Sequence, residues 1–191
     1  MKVIKHTIFD IPVLNFALCS ISKGMLRLLG WSLAGTVPPV PKCIIIAAPH
    51  TSNWDFVFTL FFAFAFRVKL YMLAKKELVD HPLGFIFTWL GVIPVDRKSS
   101  NNVVAQVVAV FNEREQLLLG IAPQGTRSQV DNWKTGFYHI ACGAKVPIAL
   151  GFLDYANRKG GFGDLFYPTG NLEEDLAKIR EFYIPIQGKN R

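Results

Sequence analysis

Residues 43–66, CIIIAAPHTSNWDFVFTLFFAFAF, decide the architecture: an apolar run of strand length meets an apolar run of helical length across a short polar break. The first run, CIIIAA, is rich in β-branched residues and does not alternate with polar ones, which suits a strand covered on both faces. Residues 54–66 read as a helix. Ser52 and Asn53 are both good N-cap residues, and Asp55 falls in the first turn, where the helix dipole favours a carboxylate.

His50 and Asp55 lie in and just beyond the break, five positions apart. Along one helix that separation is about 500° of rotation, so a turn must intervene for them to meet. With His50 in the loop and Asp55 in the first turn, the carboxylate can reach back to one ring nitrogen. The other nitrogen is then free to accept a proton from a hydroxyl. Ser52-x-x-Asp55 is equally a capping pattern, so these residues alone fit helix initiation as well as chemistry.

The same alternation continues along the chain. KLYMLA (69–74), GVIPV (91–95), LLLGIAP (117–123) and VPIALGFLDY (146–155) read as strands, and 82–90, 101–116 and 134–143 as helices. The pattern predicts an α/β fold with a largely parallel sheet covered by helices on both faces. Binding groups in such sheets gather beyond the carboxyl ends of the strands, and His50, Arg97 and Gln124 each closely follow one.

Upstream, GTVPPVPK (35–42) separates an N-terminal segment, 1–34, from the main body, 35–191. In that segment Leu14, Leu18, Ile21, Met25 and Leu28 recur at helical spacing, with Lys23 and Arg27 on another face. Such an amphipathic helix fits a membrane interface or its own domain equally well. The run Phe56 to Phe66 falls short of the ~20 residues a spanning helix needs.

The formal charge is +7, and 51% of residues are hydrophobic, sixteen of them Phe. That balance calls for an anionic partner and leaves apolar surface to spare. With no basic run of five and no zinc-finger spacing, nucleic acid is set aside in favour of anionic lipid or an acidic carrier. Cys19, Cys43 and Cys142 form no C-x-x-C pair and read as buried free thiols. His6, His81 and His139 lack metal-ligand spacing, so no metal site is expected.

Three further stretches join the histidine and aspartate: KKELVDHPLGFIFTWLGVIPVDRK (75–98), APQGTRS (122–128) and AKVPIALGF (144–152). In order and spacing, over residues 43–152, the four blocks resemble those of the lysophosphatidic acid acyltransferase (1-acyl-sn-glycerol-3-phosphate acyltransferase) family of glycerolipid acyltransferases. The resemblance implies a phospholipid-biosynthesis enzyme that moves a fatty acyl group from an acyl thioester to the hydroxyl of a lysophospholipid-like acceptor. The donor would be acyl-CoA or acyl carrier protein, with no cofactor. The expected location is the cytoplasmic face of a membrane, as a peripheral or monotopic protein.

By the same resemblance His50 is the general base and Asp55 orients it. Arg97 and Arg127 hold the anionic headgroup, helped by Gln124, Gly125 and Thr126. A guanidinium fork matches two phosphate oxygens at once. Val146, Pro147 and Ile148 would line the acyl-donor side. Gln124 replaces the family's usual glutamate, which keeps an acceptor oxygen but loses the charge, so a different or differently held headgroup is expected. No serine or cysteine has a nucleophile motif, so transfer would be direct, with amides at the helix N-terminus after His50 available to the oxyanion. Two other classes remain open: a non-catalytic lipid-binding homologue, and a thioesterase- or lipase-type hydrolase using the same histidine on water.

Overall fold

The computed structural model describes residues 6–95, 103–125 and 133–190. In chain order its elements are α1 (Pro12–Leu28), β1 (Ser32–Ala34), β2 (Lys42–Ala48), α2 (Trp54–Ala65), β3 (Leu70–Lys75), α3 (Gly84–Trp89) and β4 (Val92–Val95). They continue with α4 (Val103–Glu113), β5 (Leu117–Ile121), α5 (Gly136–Ala144), β6 (Ile148–Asp154), β7 (Lys159–Phe166) and α6 (Leu172–Tyr183). The seven strands form one sheet in the order β1-β7-β6-β2-β5-β3-β4. β6, β2, β5, β3 and β4 run parallel, whereas β7 is antiparallel to β6 and carries β1 parallel to itself.

The unalternating apolar strands have the explanation the sequence suggested, because both faces of the sheet are covered. Along β2, Ile44, Ile46 and Ala48 pack with residues of α4, α5 and α6, such as Phe111, Phe137 and Ile179. Cys43 and Ile45 point the other way, toward Ala63 and Phe64 of α2. A strand's side chains alternate between faces, so a run buried on both needs apolar residues at every position.

β1, β7 and α6 were not read from the sequence. In β7 the stretch KGGFGDLF carries three glycines, which ordinarily weaken a strand. Here they permit close approach: a Cβ on Gly161, at φ +154°, would lie 1.9 Å from the Ala34 carbonyl oxygen. β1 has three residues, too few for a periodic signal.

The N-terminal segment is built into the domain. α1 packs on α2 through Leu14, Leu18 and Leu26, the Cys19 thiol lies 3.9 Å from the Ala65 carbonyl oxygen, and β1 joins the sheet. The apolar positions read as one stripe are divided. Leu14 and Leu18 face the domain, while Ile21, Met25 and Leu28 are exposed together with Val13 and Phe16. No helix among the described residues is long and apolar enough to cross a membrane. Of the three thiols, Cys19 and Cys43 are buried but Cys142 is exposed, against expectation. Burial pushes the Cys43 thiol up to about 12.

α6 is fastened by a fully buried carboxylate. Asp175 accepts from the Tyr138 hydroxyl at 2.8 Å and from the backbone and hydroxyl of Thr169 at 2.7 and 2.9 Å. Burial alone would raise its pKa, but these donors outweigh it and hold the carboxyl below its ordinary range. Replacing Asp175 by Ala leaves buried donors unpaired. The expected loss is on the order of 3 kcal/mol, read as a drop of roughly 6–12 °C in the thermal midpoint.

Candidate active site

All the groups that meet at the site stand at the carboxyl edge of the parallel strands. Pro49 and His50 follow β2, Gln124 follows β5, and Tyr155 follows β6. β2 lies between β5 and β6, so these three side chains come from neighbouring strand ends.

Asp55 organises the loop between β2 and α2. Its Oδ2 accepts from the backbone N–H groups of Thr51 at 2.7 Å and Ser52 at 2.8 Å, and lies 3.3 Å from His50 Nδ1. Its Oδ1 accepts from the Tyr155 hydroxyl at 2.7 Å. Burial by itself would raise the Asp55 pKa. Hydrogen bonds from His50, Tyr155, Ser52 and Thr51 reverse the sign, so it is lowered and the group is ionised at neutral pH. The Tyr155 hydroxyl is pushed far up, first by burial and then by its bond to the carboxylate, so it stays a donor. The capping and the histidine-orienting roles are therefore filled by the same oxygen.

A carboxylate on Nδ1 makes that nitrogen the protonated one and leaves Nε2 as the acceptor. The His50 side chain is 26% exposed, against 4% for Asp55. It stands at the wall of a cavity of about 360 Å³ between the sheet and α2, within the range of ~300–1,000 Å³ common for ligand sites. The room comes from small side chains. Ile45, Gly120, Met72 and Val92 form one rung across β2, β5, β3 and β4, and Ala47, Ala122 and Ala74 line the cavity nearer His50. Phe56 and Thr59 of α2, with Leu78 and Phe87, close the other side. A second cavity, of about 310 Å³, shares Leu73, Ala74 and Ala122 with the first and reaches Gly125 and Lys134.

Gln124 is 6% exposed, and its Oε1 accepts the His50 backbone N–H at 2.6 Å. It lines neither cavity. The oxygen that glutamine shares with glutamate is the one in use, so the exchange preserves the support of the His50 loop. Gly125 adopts φ +64°, and a Cβ there would lie 3.0 Å from the Lys134 side chain. Lys134 was not singled out from the sequence, nor was Tyr155, although the latter's place just past a strand end was a usable signal.

Other expectations fare differently. Ile148 opens β6 in register with Ile44, and Val146 and Pro147 just precede it, at the opposite end of the strands from His50. Val146 and Ile148 are buried in the core, and the Pro147 carbonyl accepts from the Ile44 N–H at 3.0 Å. They carry the fold and do not reach the site. Amides at the start of α2 are mostly committed as well: Thr51 and Ser52 to Asp55, His50 to Gln124, and Trp54 to the Ser52 hydroxyl. Arg97, Thr126 and Arg127 lie outside the described residues.

Residues 36–149 match the family model described as Acyltransferase. The chain belongs to this acyltransferase family. A crystal structure of the 1-acyl-sn-glycerophosphate (LPA) acyltransferase PlsC from Thermotoga maritima shares the fold. It matches with a TM-score of 0.63 at 19% identity, over 88% of this chain and 76% of that one. No curated protein matches this acyltransferase in a sequence comparison.

The Gln124 contact makes a specific prediction. Gln124→Glu keeps an acceptor for the His50 N–H, whereas Gln124→Leu strands a buried donor at a cost of about 1–3 kcal/mol. Thermal midpoints and turnover measured side by side are expected to fall in the order wild type, Glu, Leu; a Leu variant equal to wild type would remove Gln124 from the loop's support.

Proposed function

We propose that this acyltransferase moves a fatty acyl group from an acyl thioester to the hydroxyl of a lysophospholipid-like acceptor. The observation that carries the proposal is a carboxylate-oriented imidazole at the wall of an apolar cavity. His50 Nε2 takes the proton of the acceptor hydroxyl as its oxygen attacks the thioester carbonyl. The tetrahedral intermediate then expels the thiolate, which recovers the proton from the imidazolium. The products are an ester and a free thiol, and neither metal nor cofactor enters the balance. Asp55, ionised and fixed by four donors, holds the ring and stabilises its charged form while the proton resides there.

The oxyanion needs a donor other than the committed amides. Asn53 lines the same cavity, and its N–H has no acceptor among the described residues, so we assign it this role. The acyl chain occupies the cavity under α2. We assign the anionic headgroup to the side of Gly125 and Lys134, Gly125 being next in sequence to Thr126 and Arg127. Acyl-CoA and acyl carrier protein are both anionic, so a chain of net charge +7 suits either donor. The exposed apolar positions of α1, flanked by Lys23 and Arg27, support peripheral or monotopic attachment to a membrane; that the face is the cytoplasmic one rests on the family resemblance.

With labelled thioester and a lysophospholipid acceptor, His50→Ala is expected to lower transfer by about 10² to 10⁴-fold. Free fatty acid appearing without acylated acceptor in the wild type would decide for hydrolysis instead. The cavity floor gives a second test. A Cβ on Gly120 would meet its nearest neighbours at 3.4–3.6 Å, ordinary contact, so Gly120→Ala is accommodated and adds a methyl group to the cavity floor. The preferred acyl chain is expected to shorten in a mixed-chain competition assay; an unchanged chain profile would place the chain elsewhere.

A further inference from the structure

The segment between β3 and β4 is apolar on both sides. Leu78 and Phe87 turn inward to wall the 360 Å³ cavity, and the Phe87 ring sits 6.1 Å from that of Phe56. Leu83, Phe85, Ile86 and Trp89 are exposed on its outer side, Phe85 at 66%. Trp54, 54% exposed at the start of α2, lies one residue from the cavity-lining Asn53, and the Lys189 ammonium stands 4.7 Å over its ring. A helix apolar all round ordinarily has apolar material on every side. α3 has it on one side only.

We propose that the outer face of residues 83–89, together with Trp54, inserts into the headgroup and upper acyl layer of an anionic phospholipid bilayer, placing the cavity mouth against the lipid. This rests on the lipid-substrate reading above and adds a second membrane contact, separate from α1. Three observations choose the bilayer as occupant. The chain's +7 charge complements an anionic surface. Two tryptophans are exposed, Trp89 on α3 and Trp54 at the start of α2, of the residue type that favours the level of the headgroups, and Trp54 lies beside a lysine whose ammonium can meet lipid phosphate. The extent of the face is too small for a stable protein partner. Five large side chains, partly exposed, present on the order of 500 Å² given ~150–250 Å² for a whole aromatic side chain, against ~800 Å² a side in a standard interface. The segment's own charges, Lys75 and Lys76 against Glu77 and Asp80, cancel, so its contribution to binding is apolar and the attraction comes from the molecule as a whole.

The test compares wild type, Phe85→Ser/Trp89→Ser, and the α1-face variant Val13→Ser/Phe16→Ser. Each is sedimented with vesicles of phosphatidylcholine and phosphatidylglycerol, and transfer is assayed with a vesicle-borne acceptor and with a short-chain acceptor in solution. The double variant of the α3 face is expected to lose tenfold or more in vesicle partition and a comparable factor in transfer to the vesicle-borne acceptor, with transfer to the soluble acceptor unchanged. In wild type, brominated phospholipid is expected to quench a part of the tryptophan fluorescence that disappears from the quenchable fraction in Trp89→Phe.

Equal partition of wild type and the α3-face variant overturns the proposal, as does quenching unaltered in Trp89→Phe. A loss of both activities in the variant also overturns it, since the face would then serve the cavity itself. A wild-type dimer that becomes a monomer in the variant assigns the face to a second copy, and loss of acyl carrier protein binding with intact vesicle partition assigns it to that carrier. Should wild type transfer no acyl group at all, the functional reading fails, while partition and quenching still decide the membrane contact.

Discussion

One buried carboxylate sets the geometry on which the rest depends. Asp55 gathers two backbone amides, one imidazole nitrogen and one phenol, and so converts the exit of β2 from a flexible turn into a fixed one. A carboxylate taken out of water is costly unless its lone pairs are filled. Here they are, and the ionised form is retained. The same bonds that make its burial tolerable also aim His50. Support from the other side comes through Gln124 on the His50 N–H. Farther out, the Asn190 backbone N–H reaches the Thr51 hydroxyl at 3.2 Å and its side-chain amide reaches the Thr51 carbonyl at 2.8 Å. The loop is thus held from β5, from β6 and from the chain beyond α6.

The sheet does the second part of the work by subtraction. Bulky residues at Ile44, Ile46, Leu117 and Leu119 fill the α4 to α6 side. On the α2 side, Ala47, Ala74, Gly120 and Ala122 leave unfilled volume at the carboxyl edge. An apolar cavity of this size loses packing contacts that a filled core would have. An acyl chain bound as proposed would restore them. Trp31 links the N-terminal region to the same place, its ring 4.5 Å from that of Phe58 in a tilted pair and 4.9 Å from that of Tyr155 edge-to-face.

Much of this was legible in the sequence, for identifiable reasons. The parallel strands announced themselves because burial on two faces demands unbroken apolar runs, and the His50–Asp55 pair because a turn between strand and helix is the one arrangement that lets them meet. The antiparallel edge was hidden: β7 is glycine-rich where it must pass close to another backbone, and glycine carries no strand signal. Tyr155 closed a run that read as ordinary strand, and although its place at the strand's carboxyl end was a usable signal, nothing local names its partner, a carboxylate a hundred positions away. Val146, Pro147 and Ile148 misled in the opposite direction. A short apolar block reads alike at either end of a strand, and the register placed it at the end away from the histidine.

The claim at the centre is spatial: a thioester's carbonyl lies beside His50 while its acyl chain runs under α2. A crystal structure with a non-hydrolysable acyl thioether analogue tests it most directly. The carbon that mimics the carbonyl is expected within about 3–4 Å of the position an acceptor oxygen would take beside Nε2, with the chain against Gly120 and Met72. An ordered chain bound on another face of the molecule, with the cavity filled by water, would contradict it.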